Sequence, residues 1–475
     1  MTKPKPSLME VTRAVSGCAS AADFQFGEDT AVVAVQHMLW QTVDLCEAIV
    51  ALGVRRENIF AVGKVYSNSP VVIGTLRDRG ITVLPSTVPL PGEFERCFRS
   101  DVCELWAVVK QKLASRKIKR ILVLDDGGSC ITSIPRELLD RYAVCGVEQT
   151  SFGIFMFEVE PPPFAVMSWA RTAVKLQIGG PIFSHCLLVR LESRVLGGDT
   201  LQEKNIGIIG LGSIGSALAN LIARQYNHVS FYDPDPGLQI PLWLQGRIKR
   251  VGSLEELMLN CDYVFGCSGR EPFRNQPLPK YRPGVKLFSA SGGDQEFGPI
   301  VDDLKLRPGF NVAQGTWDIT CENGPSGPIS IGYLGYPYNF VARDIEAVPS
   351  DIVQLETAGL LAGLIQARLH LSFVERGLVP NNGVQRISPE AQQFVYEQWR
   401  TVMKGRRISL PEVYGCDPSM LLATRERWWF SENSEPQPSS AYEPSGILEE
   451  AMARLVEETS TIGIERERES NLCSL

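Results

Sequence analysis

The chain has 475 residues, 47 of them basic and 54 acidic, for a net charge of −7. That length allows two or three domains with substantial cores, and the charge balance offers no basic surface for nucleic acid. No apolar run reads as a membrane span, the opening Met1-Thr-Lys-Pro-Lys-Pro has no apolar signal core, and the 12 cysteines lack CxxC spacing or histidine partners, so a cytoplasmic protein with reduced thiols and no metal site is expected.

The first half alternates strand and helix patterns. Ala31–Val35 predicts a strand and Met38–Leu52 a helix; Asn58-Ile-Phe-Ala-Val, Ile81-Thr-Val-Leu and Lys119-Arg-Ile-Leu-Val-Leu predict further strands, and Glu93–Leu113 a long helix. This alternation implies a parallel sheet covered on both faces. After Leu124 comes Asp125-Asp-Gly-Gly128. Acids and glycines at the carboxyl end of a parallel strand lie where such sheets bind ligands; the same residues also suit a plain turn. Lys64, in Gly63-Lys-Val-Tyr-Ser-Asn-Ser69, suits an anionic substrate group or, equally, an exposed loop.

Pro161-Pro-Pro-Phe interrupts the alternation, and helices are predicted from about Met167 and over Ser184–Leu196. Arg171 and Lys175 share a helical spacing that reads as a solvated face. Cys46, Cys103 and Cys186 fall within apolar helical patterns and read as small core residues.

Asn205-Ile-Gly-Ile-Ile then runs into Gly210-Leu-Gly212-Ser213-Ile214-Gly215 and a helix over Ala217–Gln225. Gly210 permits a tight turn, Gly212 lets backbone approach a pyrophosphate, and Gly215 lets the helix pack against the strand. The helix N-terminus favours phosphate. A second strand, Val229-Ser-Phe-Tyr, ends in Asp233, near the offset where an acid takes a ribose 2′-hydroxyl. The following Pro234-Asp-Pro-Gly supplies no base for a 2′-phosphate, so NAD is favoured over NADP. Further strands are expected at Asp262-Tyr-Val-Phe and Val285-Lys-Leu-Phe, and Leu355–Leu371 is a long apolar helix returning to the first domain.

The expected fold class is α/β, with two Rossmann-like parallel-sheet domains and a C-terminal helical extension. The boundaries are residues 20–183 for a substrate-binding domain completed by 345–400, and 184–344 for an NAD-binding domain. Residues 401–475 form the extension, with a linker at 431–446 and a short amphipathic helix over Ile447–Glu458.

Several short motifs in order resemble S-adenosylhomocysteine hydrolase over most of residues 30–375: His37-Met before a helix, Asn58-Ile-Phe, Leu124-Asp-Asp-Gly-Gly, Gly146-Val-Glu-Gln-Thr, the glycine loop, Gly266-Cys-Ser-Gly, Ser289-Ala-Ser-Gly-Gly-Asp294 and Gly335-Tyr-Pro337. The resemblance implies a bound NAD that oxidises a ribose 3′-hydroxyl transiently, an obligate oligomer (dimer or tetramer), and a small-molecule substrate. It implies catalytic roles for His37 and Asp126 and, with an alignment gap, for Lys175. It places Thr150, Ser151, Ser268 and Ser291 on the cofactor beside Gly210, Gly212, Ser213, Ile214, Gly215 and Asp233, and it places Gln149 and Tyr336, with Lys64, on the substrate.

The chain also departs from that pattern. Gln149 stands where the family has an acid, Gly292 and Tyr336 where it has histidines, and Leu39, Gln41 and Val62-Gly63 where it recognises adenine; the Asp-Asn pair after the lysine and the C-terminal Lys/Tyr segment have no counterpart. Glutamine is no carboxylate base and glycine relays no proton. On spacing alone His37 reads as a cap for the helix after it. Four functional readings follow: an NAD-dependent enzyme acting on a different hydroxylated molecule such as a modified nucleoside; a non-catalytic NAD-binding regulator; the hydrolase itself; and a 2-hydroxy-acid dehydrogenase. The last needs a histidine that the stretch between His228 and His370 does not contain.

Overall fold

A computed structural model describes residues 10–18, 24–194, 201, 203–225, 228–340 and 350–405. Its first sheet contains β1 (Thr30–Gln36), β2 (Ile59–Gly63), β3 (Thr82–Leu84), β4 (Arg120–Asp125), β5 (Ala143–Glu148) and β6 (Val166–Ser168). Its second contains β7 (Ile206–Ile209), β8 (Val229–Tyr232), β9 (Lys249–Arg250), β10 (Tyr263–Gly266), β11 (Val285–Ser289), β12 (Phe310–Val312), β13 (Ile319–Cys321) and β14 (Ile329–Ile331). The chain then returns, and β15 (Val384–Arg386) joins the first sheet beside β6.

Strand order in the first sheet is β3-β2-β1-β4-β5-β6-β15, all pairs parallel. The second runs β9-β8-β7-β10-β11-β14-β13-β12, with the β14–β13 and β13–β12 pairs antiparallel. In each sheet the chain adds its first strands to one side and then crosses to the other, between β1 and β4 in the first and between β7 and β10 in the second. In a doubly wound sheet that reversal of strand order opens a crevice at the carboxyl ends of the strands. The fold class is the expected one.

Burial explains what the sequence pattern leaves ambiguous. All residues of β1, β2 and β6 are buried, so these strands show no apolar–polar alternation. An unbroken apolar run looks the same in a buried helix, and the helix expected from about Met167 is instead β6 followed by a π-helical turn over Lys175–Gly179. The glycine-loop helix begins earlier than expected, spanning Ser213–Gln225. Cys46 and Cys186 are buried as anticipated, but Cys103 is exposed on the outer face of the helix Phe94–Leu113. The helix Pro389–Gly405 crosses the boundary placed at 400; the linker 431–446 and the helix Ile447–Glu458 lie outside the described residues.

The helix Ser350–Glu375 holds the first domain together. It packs on β4, β5, β6 and the helix Trp40–Ala51, and Gln354 accepts a hydrogen bond from the Val11 N–H (3.0 Å). Contrary to the sequence expectation, its stretch Ile352–Glu375 is long and apolar enough to cross a membrane by length and composition, but 83% of that window is buried inside the fold. That burial marks it as a core helix.

The two domains meet through specific bonds. The Phe94 N–H, at the start of its helix, donates to Asp294 Oδ2 (3.2 Å), Lys305 Nζ donates to the Pro91 carbonyl (2.8 Å), and the Tyr333 hydroxyl donates to the Tyr66 carbonyl (2.6 Å).

Gly359, within the long helix, faces the fully buried Trp169, and a Cβ there would lie inside the indole ring. Alanine normally gains about 0.5–1 kcal/mol over glycine in a helix. Here Gly359→Ala is expected to lose about 1–3 kcal/mol through overpacking. Denaturant unfolding reads the sign directly, and a stabilised variant would contradict the packing described.

Candidate active site between the two sheets

The loops at the two strand-order reversals face each other across one cleft of about 340 Å³. His37 follows β1, Lys64 follows β2, Asp126 follows β4 and Gln149 follows β5; all four line the cleft. Gly212, Ser213, Ile214, Ser268 and Ser291 line it from the second domain.

Asp126 is the hub on the first-domain side. Its Oδ1 is ion-paired with Lys64 Nζ, while Oδ2 accepts from the Gln149 side chain and lies 3.2 Å from His37 Nε2. Gln149 Oε1 in turn accepts from Gln36 Nε2 (2.8 Å), and His37 Nδ1 lies 2.5 Å from Ser67 Oγ. Burial works against charge on Asp126, but Lys64 foremost and then His37 hold its carboxyl far below the ordinary carboxylate range. Burial likewise works against the Lys64 ammonium, and Asp126 more than offsets it, raising that group above its usual value. Each partner thus favours the charged form of the other.

These positions revise the sequence reading. Lys64 is neither an exposed loop lysine nor a free cation, since it is 5% exposed and engaged by Asp126. His37 does not cap the following helix, whose N-cap is Leu39; its ring stacks on Phe340 at 4.0 Å. The adjacent acids divide their work: Asp125 Oδ2 accepts from the Ile131 N–H (2.8 Å) and shapes the turn, whereas Asp126 enters the cleft.

Lys175 and Arg171, read as a solvated face, both line the cleft. Lys175 Nζ bonds Glu356 Oε2 at 2.8 Å, and the same oxygen accepts from Trp169 Nε1 at 2.7 Å. Among the described residues, Glu356 Oε1 is buried without a hydrogen-bond partner. Sequence reasoning did not single out Glu356, although it is the one acid in the apolar stretch Leu355–Leu371. Nor did it single out Ser67.

Thr150 and Ser151 line the cleft at the start of the helix Ser151–Val159. Thr150 Oγ1 donates to Glu148 (2.6 Å) and accepts from the Gly153 N–H (2.9 Å). Tyr336 does not line the cleft. It is fully buried behind Tyr66, with ring centroids 5.0 Å apart, because the loop after β14 carries it into an aromatic cluster.

The second-domain loop fits a dinucleotide. Gly210 has φ +86°, and a Cβ there would come within 2.6 Å of Ser268 Cα; one on Gly215 would strike the Gly210 carbonyl. A Cβ on Gly212 would meet nothing, since that residue borders open cleft. Two glycines serve packing and the third leaves room for a pyrophosphate beside the N-terminus of Ser213–Gln225. Ser268 and Ser291 sit at the ends of β10 and β11, where the Ser291 hydroxyl accepts from the Gly269 N–H (3.0 Å). Asp233 lies at the end of β8, outside the cleft itself, and its Oδ2 accepts from the Leu211 N–H (2.8 Å). One base does stand near it: Arg250, from β9, donates to the Asp233 carbonyl (3.1 Å) and also to the Asp235 carbonyl. The Arg250 group that reaches this turn thus addresses main-chain carbonyls rather than the Asp233 carboxylate. Among the described residues no cluster of three or more histidine, cysteine, aspartate or glutamate side chains suits a metal ion.

Comparison with known proteins bears on the second domain. Residues 190–271 match the family model for the D-isomer specific 2-hydroxyacid dehydrogenase, NAD binding domain. Uncharacterized proteins of Mycobacterium tuberculosis, from strains CDC 1551 / Oshkosh and H37Rv, are each 29% identical over 343 residues, which is 70% of this chain. The chain spans 63% of the length of those relatives. Among solved structures, the NAD complex of a D-isomer specific 2-hydroxyacid dehydrogenase from Lactobacillus delbrueckii ssp. bulgaricus has a TM-score of 0.29 at 10% identity, covering 75% of this chain and 100% of that one. A D-2-hydroxyisocaproate dehydrogenase has a TM-score of 0.30 at 11% identity, covering 74% and 98%. Those scores are too low to define the whole fold, which rests on the strand orders above. The matched segment holds the glycine loop, Asp233 and Ser268, and it is an NAD-binding domain of the dehydrogenase type.

Proposed function

We propose that this protein is an NAD-dependent enzyme that carries out a redox step on a hydroxyl-bearing small molecule, on a two-domain plan like that of S-adenosylhomocysteine hydrolase. One observation carries the reading: the Lys64–Asp126–His37 cluster and the open Gly212 face border the same cleft. Bound along the glycine loop, NAD supplies a hydride acceptor. The chain's own residues then orient a hydroxyl and handle its proton.

Two groups suit that work. Lys175 and Glu356 form one ion pair at the cleft wall, and the unpartnered Glu356 Oε1 is an acceptor for a substrate hydroxyl. Ser67, His37 and Asp126 form a connected hydrogen-bonding chain that can carry a proton, with Lys64 keeping Asp126 charged. The departures from the hydrolase pattern separate this activity from adenosylhomocysteine cleavage. Gln149 is a hydrogen-bond donor to Asp126 and cannot serve as a base, and Tyr336 lies behind the cleft wall.

The purified protein should retain NAD and form reduced cofactor with a subset of hydroxylated metabolites, followed by absorbance. It should release no thiol from adenosylhomocysteine beside an authentic hydrolase. NAD that stays oxidised with every hydroxylated compound would instead favour a non-catalytic regulator.

Asp233→Ala should weaken NAD binding by about 1.5–3 kcal/mol through loss of a charge-assisted hydrogen bond. Calorimetric titration measures this, and unchanged affinity would remove Asp233 from the ribose site.

Lys64→Met strands the Asp126 charge, and breaking such a buried pair costs about 3–5 kcal/mol at pH 7. The sign with pH follows from the depressed Asp126 value. In the native protein its contribution is complete above the ordinary aspartate range and is lost as pH falls through the folded value. In the variant the stranded carboxyl can take up a proton instead, so the stability gap should narrow between pH 7 and pH 4. A gap that widens on acidification would overturn the assignment.

A further inference from the structure

Arg171 is 6% exposed, lines the cleft, and makes no hydrogen bond or ion pair among the described residues. Its guanidinium lies 5.0 Å from the centre of the Phe155 ring, while the exposed Arg270 of the second domain lies 4.1 Å from the same ring. Two cations thus share one phenyl ring, which stabilises each only modestly. The charge of Glu158 favours the Arg171 cation, yet no ion pair forms between them. Burial foremost pushes the guanidinium below its ordinary value, and Arg270 pushes the same way. A buried charge without a partner is costly, and such a group persists where a ligand completes it.

We propose that Arg171 receives an anionic group, a carboxylate or phosphate, on the small molecule that shares the cleft with NAD. This deepens the function proposed above and rests on that reading. Arg171 follows β6 in the first domain and precedes Lys175 on the same cleft wall. A substrate anchored there by its anion has the Lys175–Glu356 pair available for its hydroxyl. The cofactor pyrophosphate already has its own receptor, the glycine loop and helix N-terminus of the second domain. A guanidinium offers a planar fork of donors that matches either anion bidentately.

The test uses full-length protein, with and without NAD, and two probes, inorganic phosphate and malonate. One or both should raise the melting temperature of the NAD-loaded protein saturably. Their affinity should fall roughly tenfold or more in Arg171→Met, about 1.4 kcal/mol, and should fall less in Arg171→Lys, which keeps charge without the fork. Ligand-free Arg171→Met should be at least as stable as the native protein, because it removes an uncompensated buried charge. NAD affinity should not change.

Equal probe responses in native protein and Arg171→Met would overturn the proposal, as would a less stable ligand-free variant, which would make Arg171 structural. If Arg171→Met instead loses NAD affinity and the NAD-loaded native protein ignores both probes, the anion is the cofactor's own phosphate and the substrate assignment fails. Absence of NAD binding in the native protein is a separate result that defeats the proposed function itself.

Discussion

A single buried carboxylate organises the first-domain half of the cleft. Glu148, the last residue of β5, accepts from the Gly127 and Gly128 N–H groups (3.1 and 2.9 Å) and from the N–H and hydroxyl of Thr150 (2.7 and 2.6 Å). It thereby binds the loop after β4 to the loop after β5. Those loops carry Asp126 and Gln149, whose side chains must meet. Burial foremost, and then Asp125, push the Glu148 carboxyl above its ordinary range. Gly153 leaves the space this carboxylate occupies, since any Cβ there would collide with it. Asp126 is therefore positioned by an acid that never enters the cleft.

The domains contribute different kinds of order. On the second-domain side, open backbone and a helix terminus form a surface that accepts phosphate without committing side-chain charge. On the first-domain side, opposite charges are desolvated and fixed against one another. A charged network of that kind is held rigid by its mutual satisfaction. Its groups are engaged with one another, whereas Arg171 and Glu356 Oε1 have no such engagement among the described residues.

The legible features of the sequence were those with local signatures. The glycine loop announces its turn, its close approach and its helix within a few residues, and acids after a β-branched run announce a strand end. The motif order also picked out His37 and Asp126 before their 3.2 Å approach was visible. Long-range charge pairing left no such trace. Lys64 looks like any loop lysine until β2 and β4, neighbours of β1 on opposite sides, bring it to Asp126. Arg171 looks solvated because its spacing with Lys175 is helical, yet β6 and the π-helical turn bury Arg171 and set both on the cleft wall. Glu356 and Trp169 are far apart in sequence and meet only when the long helix closes over the sheet. Short, fully buried strands such as β6 carry no alternation at all, so their type is decided by tertiary packing.

The aromatic cluster at the domain boundary places an indole beside the contact between the domains. Trp317 stacks on Tyr333 with ring centroids 5.4 Å apart, and the Tyr333 hydroxyl is bonded to the Tyr66 carbonyl across the boundary. Tyr66 in turn borders the cleft. Separation of the domains breaks the hydrogen bond and changes the packing around the indole. Indole emission responds to that packing and to nearby water, so of the chain's eight tryptophans Trp317 is one whose emission is tied to the domain boundary.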